Sequence, residues 1–150
     1  MNLLRHTASV DLGIVIITNI INLLLALIFW GRVTKQTWLS QAAGIGTLVL
    51  GIPLVILVIA NITLHREWWR VVLPLSLVLF LLLEWVLDYV LKIEFRQTWV
   101  VGPYLLLYYL ASMVMVGYAF LVKTPYGAVT LLTYFLQVGL GIYSRYKTGL

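Results

Sequence analysis

Five long apolar stretches divide this sequence, and they constrain its fold more than any other feature. A bilayer core of about 30 Å needs about 20 apolar residues in helical form, and each stretch comes close to that length. The predicted spans are residues 12–30, 42–64, 71–91, 104–122 and 126–143. The connectors between them are too short for another domain. The sequence therefore predicts an all-α fold, a polytopic membrane bundle of about five transmembrane helices forming one domain over residues 1–150.

The composition excludes several classes of protein. Hydrophobic residues make up 63% of the chain and charged residues 10%, whereas soluble domains are about half apolar and about a quarter charged. The net charge is +5, and the basic residues are spread through the connectors. This distribution is typical of membrane topology and of contact with anionic lipid. We expect the lipid bilayer as a partner and no nucleic acid. With no cysteine and only two histidines, we expect no metal site and no cofactor.

The basic residues of the connectors predict an orientation through the positive-inside rule. One side of the membrane receives four of them, Arg5, Arg66, Arg70 and Lys123. The other side receives six, Arg32, Lys35, Lys92, Arg96, Arg145 and Lys147. We therefore expect the C-terminus in the cytoplasm and the N-terminus across the membrane, with the plasma (inner) membrane as the location.

Two acidic residues lie inside the third span. Glu84 and Asp88 are four residues apart, which places both carboxylates on one face of a regular helix. An acid within hydrocarbon is costly, so it is a candidate for function, and two neighbouring carboxylates favour a bound proton or cation. The structural alternative is a helix end at which Asp88 pairs with Lys92, one further turn along.

Other spans supply polar side chains that are candidates for ligand or ion binding. Asn19 and Asn22 lie in the first span, Tyr108 in the fourth and Gln137 in the fifth. The alternative for each is a hydrogen bond between helices that stabilises packing. We expect Glu84 to face inward and to meet a hydroxyl or an amide. The candidate partners are Asn19, Asn22, Tyr108, Ser112, Thr133 and Gln137.

The connector at residues 65–70 combines two arginines with two tryptophans. Tryptophan favours the membrane interface, because its ring is apolar while its N–H needs a partner. We interpret this segment as an interfacial turn, and a site for lipid headgroups is the alternative.

Two functions are compatible with this sequence. We expect a membrane-protein partner, which favours the first function below, or a homo-oligomer, which favours the second. The first is a non-catalytic membrane subunit or assembly and interaction protein. The alternative is a proton- or cation-coupled transporter or channel-like protein that uses Glu84 and Asp88. We expect no catalytic residues and no enzyme activity. A lipid-modifying enzyme is disfavoured because His, Asp and Arg do not cluster at one interface.

Overall fold

Five α-helices make up the computed structural model, which describes residues 2–92 and 98–149 and, within them, side chains from residue 8 onward. The helices are α1 (Asn2–Val33), α2 (Thr37–Thr63), α3 (Trp69–Trp85), α4 (Val101–Val122) and α5 (Thr124–Thr148), and a π-helix (Val86–Val90) continues α3. The described ranges contain no strand. The prediction of an all-α bundle of five helices is therefore confirmed. Arg96, used in the orientation count, lies outside the described residues.

All five helices are long and apolar enough to cross a membrane. Their apolar segments have 22 to 27 residues, against about 20 that a bilayer core requires. Most helices extend beyond the predicted spans, since α1 begins at Asn2 rather than at residue 12. The chain is an integral membrane protein.

The helices form a closed ring in which each packs against the next and α5 returns to pack against α1. Short connectors make successive helices antiparallel. Since α5 is the fifth helix, it runs in the same direction as α1. Helix α1 also contacts α4 across the ring. The largest fully buried apolar side chains are Ile14, Ile21, Leu54, Leu77, Phe80 and Met115, together with the ring of Tyr118.

The alternation gives the bundle two distinct faces. The N-terminal face carries the start of α1 and the connector between α2 and α3, residues 64–68. The C-terminal face carries the ends of α1, α3 and α5 and the start of α4. Polar side chains gather at both faces, and the contacts they make differ.

Helices α1 and α2 end in the same hydrogen-bonded turn, although neither has glycine there. At the end of α1 the Lys35 N–H donates to the Arg32 carbonyl at 3.2 Å. The Gln36 N–H donates to the Gly31 carbonyl at 2.8 Å. These two bonds define a Schellman motif, which places one residue at positive φ. That residue is Lys35 (φ 58°) after α1 and His65 (φ 49°) after α2, and a side chain is strained in this conformation.

The end of α3 departs from regular α-helix. The Leu91 N–H donates to the Val86 carbonyl at 2.8 Å, which is the i to i−5 bond of a π-helix. A π-helical turn contains more residues than an α-helical turn and often lies at a functional site. Asp88 lies within this turn, whereas Glu84 precedes it on the regular helix. The regular α-helix assumed through Glu84 and Asp88 is therefore replaced by a π-helical turn before Asp88.

We expect Lys35→Gly to stabilise the protein, because glycine adopts positive φ without the cost that a side chain incurs. The left-handed conformation costs roughly 1–2 kcal/mol, and the greater freedom of glycine in the unfolded chain offsets about 0.5–1 kcal/mol of the gain. The thermal unfolding midpoint in detergent should therefore rise. Lys35→Ala is the control, because it removes the same charge and keeps the strain. A midpoint for Lys35→Gly no higher than that of Lys35→Ala would contradict this explanation.

Candidate functional site

A buried carboxylate lies at the N-terminal face, near the start of the apolar segment of α1. Asp11 is only 5% exposed. Arg66 donates to both of its oxygens, at 2.8 Å to Oδ1 and at 2.7 Å to Oδ2. Arg70 donates to Oδ2, and the Tyr118 hydroxyl donates to Oδ1 at 2.8 Å. These four side chains are called the Asp11 cluster below.

The turn after α2 positions the arginines of the Asp11 cluster. In this second Schellman motif the Arg66 N–H donates to the Asn61 carbonyl at 3.1 Å, so the chain folds back over α2. The Arg66 side chain donates to Asn61 Oδ1 at 2.9 Å, and Asn61 Nδ2 donates to the Arg70 carbonyl at 2.8 Å. The Arg70 guanidinium lies 4.4 Å from the centre of the Trp69 ring, which packs at 5.6 Å from the Tyr118 ring. The connector is thus a packed part of the bundle.

The charges of Asp11 and of the connector between α2 and α3 balance one another. Asp11 and Glu67 are acidic, Arg66 and Arg70 are basic, and Glu67 Oε2 accepts from Arg70 Nε at 3.1 Å. A charge withdrawn from water is tolerated only when it is paired and hydrogen-bonded, and these contacts meet that condition. Both arginines bind a carboxylate of the protein itself. This arrangement supports the structural interpretation of the connector over the headgroup alternative.

Asp11 and Tyr118 are buried polar residues that were not among the candidates from the sequence. Asp11 precedes the predicted start of the first span, where a charge can reach water. Its desolvation cost was therefore expected to be small, and the residue was not singled out as a candidate. A signal was nevertheless present, since Asp11 is the only acidic residue before Glu67. The alternation of spans also places Asp11 on the same side as Arg66 and Arg70. Sidedness together with opposite charge could have paired them.

A second set of polar contacts joins α1 to α5 within the membrane. Asn19 Nδ2 donates to Thr130 Oγ1 at 3.0 Å, and Asn22 Nδ2 donates to Thr133 Oγ1 at 3.0 Å. The Thr133 hydroxyl also lies within donating distance of Asn19 Oδ1, at 2.8 Å. Both pairs are separated by 111 residues in sequence, which reflects the parallel course of the two helices. Asn19 and Asn22 thus make the interhelical bonds of the packing alternative.

The C-terminal face contains a cavity of about 50 Å³ between α1, α3, α4 and α5. Its polar lining consists of Arg32, Glu84, Tyr104, Tyr108, Tyr109, Ser144 and Arg145. Its apolar lining consists of Leu25, Ile28, Phe29, Val101 and Leu105, with Gly141 on α5. A Cβ atom on Gly141 would lie 3.2 Å from the Phe29 ring, so glycine permits the close approach of α1 to α5 here. This space is called the Glu84 cavity below.

Glu84 is half-buried in this cavity, and the Tyr104 hydroxyl donates to its Oε1 at 3.3 Å. Tyr104 was not among the partners expected from the sequence, whereas Tyr108, which was, lines the same cavity. Asp88 is not part of the lining. Two guanidinium groups and one carboxylate give the lining a formal charge of +1. Such a lining repels a lone cation and suits an anion or a zwitterion.

Two buried polar groups in this region have no hydrogen-bond partner among the described residues, the Tyr108 hydroxyl and the Gln137 amide. Tyr108 is 3% exposed and Gln137 is fully buried. Gln137 lies one helical turn before Gly141, which lines the cavity. An unsatisfied buried polar group costs about 1–3 kcal/mol, and such groups commonly bond to water or ligand. Both residues were candidates from the sequence.

A second cavity, of about 190 Å³, lies between α2 and α3. It is lined by Leu48, Gly51, Ile52, Val55, Val78, Leu81, Leu82 and Trp85. This lining includes no charged side chain, so it offers packing but little chemistry. Across the described part of the chain, no group of three or more His, Asp or Glu residues is placed to hold a metal ion.

Compared with known proteins, the chain matches no family model, no curated protein and no solved structure. Inferences about function therefore start from the contacts, charges and cavities of the chain itself. The Asp11 cluster is closed by internal bonds, and the Glu84 cavity has charged and polar residues in its lining.

We expect Asp11→Asn to destabilise the protein, because it leaves two arginines facing each other without their carboxylate. The arginine side chains are 10% and 21% exposed, and removing one partner of such a pair costs about 3 kcal/mol. The measurement is the thermal unfolding midpoint in detergent. Glu67→Gln is the matched control, since it removes an acid that also bonds Arg70 but is 64% exposed. Its cost should be at most about 1 kcal/mol, and equal losses in the two variants would contradict a structural Asp11 cluster.

Proposed function

We propose that this protein is a non-catalytic integral membrane protein that acts as a subunit or assembly and interaction protein of a membrane complex. The observation that carries the proposal is that polar side chains of the membrane segments bond to other side chains of the same protein. Asp11 is bonded to Arg66, Arg70 and Tyr118, and the amides of Asn19 and Asn22 are bonded to threonines of α5. Polar side chains that hydrogen-bond between helices are typical of the packing of membrane proteins.

The placement of the acids supports a protein without enzyme activity. Catalysis by a pair of carboxylates, one as acid and one as base, needs both groups within reach of one substrate. Glu84 lines the cavity and Asp88 does not, while Asp11 lies at the opposite face and is held by two arginines. The described residues therefore offer no paired carboxylates at a shared cavity.

The proposal extends to orientation and partner. The six-to-four distribution of basic residues favours a cytoplasmic C-terminus in the plasma (inner) membrane. In that orientation the Glu84 cavity opens toward the cytoplasmic side. The partner is another membrane protein, which packs against the lipid-facing sides of the bundle.

Native mass spectrometry of the full chain, gently extracted from its own membranes, tests this proposal. We expect a complex of fixed stoichiometry with another membrane protein, because a subunit keeps its partner in mild detergent. The control is the same chain expressed in a foreign host, where the partner is missing and the complex should not form. A monomer in both preparations would contradict the subunit proposal.

The second candidate function is proton-coupled transport, and the Glu84 cavity is the observation that favours it. Glu84 is a half-buried acid that accepts a hydrogen bond from Tyr104 and lines an enclosed part of the bundle. The carboxyl group of Glu84 is able to bind and release a proton. Two arginines in the lining disfavour a metal cation as the transported ion.

Proton flux into vesicles containing the purified protein separates the two functions. Under the subunit proposal, wild type and Glu84→Gln should both give the flux of empty vesicles. Asp88→Asn is the control, because it removes an acid on the same segment that does not line the cavity. A flux that falls in Glu84→Gln and persists in Asp88→Asn would favour transport and overturn the subunit proposal.

A further inference from the structure

The exposed basic side chains of the bundle lie mostly at one of its two faces. Lys35 follows α1, and Arg145 and Lys147 lie in the last turn of α5, so all three are at the C-terminal face. Their side chains are exposed, and none of them forms an ion pair within the described residues. The two arginines of the Asp11 cluster, by contrast, are half-buried and bonded to its carboxylate. The positive charge that is open to the surroundings is therefore concentrated at the C-terminal face.

The three basic residues belong to elements that lie side by side. Helix α1 packs against both α2 and α5. At this face the Ser40 hydroxyl of α2 donates to the Ile28 carbonyl of α1 at 3.0 Å. Arg32 of α1 and Arg145 of α5 line the same cavity, so these two helix ends adjoin as well. The ends of α1 and α5 and the start of α2 therefore form one continuous surface.

These three elements bring no acidic residue to this surface. Helices α2 and α5 contain neither aspartate nor glutamate, and the only acid of α1 is Asp11 at the opposite end. Glu84 and Asp88 also lie toward the C-terminal face, but they belong to α3 and its π-helical continuation, and both are half-buried. A surface with exposed cations and no acid of its own attracts anions.

Aromatic side chains place this surface at the level of the lipid headgroups. Trp30, Trp38 and Tyr146 are exposed on the same three elements, and each lies near the end of its apolar segment. Tryptophan and tyrosine favour the boundary between hydrocarbon and water. The basic residues at these helix ends therefore meet headgroups, and the anion that is present there is the phosphate of a lipid.

We propose that Lys35, Arg145 and Lys147, called the C-terminal basic patch below, bind anionic phospholipid through the phosphate of its headgroup. Guanidinium and ammonium groups donate charge-assisted hydrogen bonds to phosphate. A zwitterionic lipid brings an ammonium of the same sign as the patch, and no acid on these three elements compensates for it. In the orientation proposed above, the patch meets the cytoplasmic leaflet, which carries a negative surface potential. The inference concerns exposed side chains of the isolated chain, so it does not depend on whether a partner subunit exists.

Competition between defined lipids for the purified, delipidated full chain in neutral detergent tests the proposal. The probes are short-chain phosphatidylglycerol and phosphatidylcholine at equal concentration, with glycerol 3-phosphate as the soluble counterpart. Native mass spectrometry gives the bound fraction of each probe. One basic residue near an anionic surface favours binding by about fivefold, so we expect phosphatidylglycerol to be preferred over phosphatidylcholine by at least about fivefold.

Substitutions assign this preference to the C-terminal basic patch. The combined variant Lys35→Gln, Arg145→Gln, Lys147→Gln should bring the ratio of the two bound lipids close to one. The combined variant Lys35→Arg, Arg145→Lys, Lys147→Arg keeps the charges and should keep the preference.

Two single variants give a matched comparison that does not require the combined variants to fold. Lys147→Gln and Lys123→Gln each remove one exposed lysine, from the C-terminal and the N-terminal face respectively. Lys147→Gln should lower the preference several-fold. Lys123→Gln should lower it by less than about twofold, because Lys123 lies apart from the patch and its ammonium is 5.9 Å from the centre of the Tyr126 ring.

Each outcome decides the proposal. Equal binding of phosphatidylglycerol and phosphatidylcholine by the wild type would overturn it, as would a loss in Lys123→Gln as large as that in Lys147→Gln. Glycerol 3-phosphate binding as tightly as phosphatidylglycerol would support the phosphate contact and overturn the assignment to a lipid. A failed search for a partner subunit would leave these results unchanged, so failure of the two proposals is distinguishable.

Discussion

The ion pairs and hydrogen bonds of the Asp11 carboxylate are the interactions on which the arrangement of the helices depends. A charge at the edge of a membrane segment requires partners, and in this chain they come from elements far apart in sequence. Arg66 and Arg70 bring the connector between α2 and α3 onto α1, and Tyr118 brings the end of α4 to the same point. Only Lys123 separates α4 from α5, so α5 must begin beside α1. One carboxylate thus joins α1, α4 and the connector between α2 and α3 at one face.

The parallel contact of α1 with α5 follows from that closure and changes in character along the membrane. In its middle the two helices exchange amide and hydroxyl hydrogen bonds, at Asn19 and Asn22. Toward the C-terminal face Gly141 allows the Phe29 ring to lie against α5. Beyond this contact the helix ends carry arginines that face a cavity. The Glu84 cavity therefore lies where direct pairing between α1 and α5 ends.

Hydropathy predicts the five helices well, because the cost of burying polar groups in a bilayer acts on each segment separately. The same reasoning identified Glu84, whose depth within a span is a local property of the sequence. It did not identify the Asp11 cluster, since Asp11 lies where a charge is inexpensive and its partners follow more than 50 residues later. The π-helix after Trp85 also carries no strong sequence signal. Glu84 lines a cavity together with Arg32 and Arg145 and without Asp88. This grouping depends on how three helix ends converge, which a single segment of sequence does not show.

The contrast between the two faces bears on function. At the N-terminal face every charge of the Asp11 cluster is matched inside the protein, which serves stability and needs no ligand. At the C-terminal face the buried hydroxyl of Tyr108 has no partner among the described residues, and phenylalanine would fill the same space without that cost of about 1–3 kcal/mol. Folding stability is commonly only about 5–15 kcal/mol, so an unsatisfied group of this kind is a substantial burden. The two faces therefore differ in how polar groups are used: hydrogen bonds and ion pairs hold the N-terminal face together, whereas packing at the C-terminal face leaves the Tyr108 hydroxyl unbonded among the described residues.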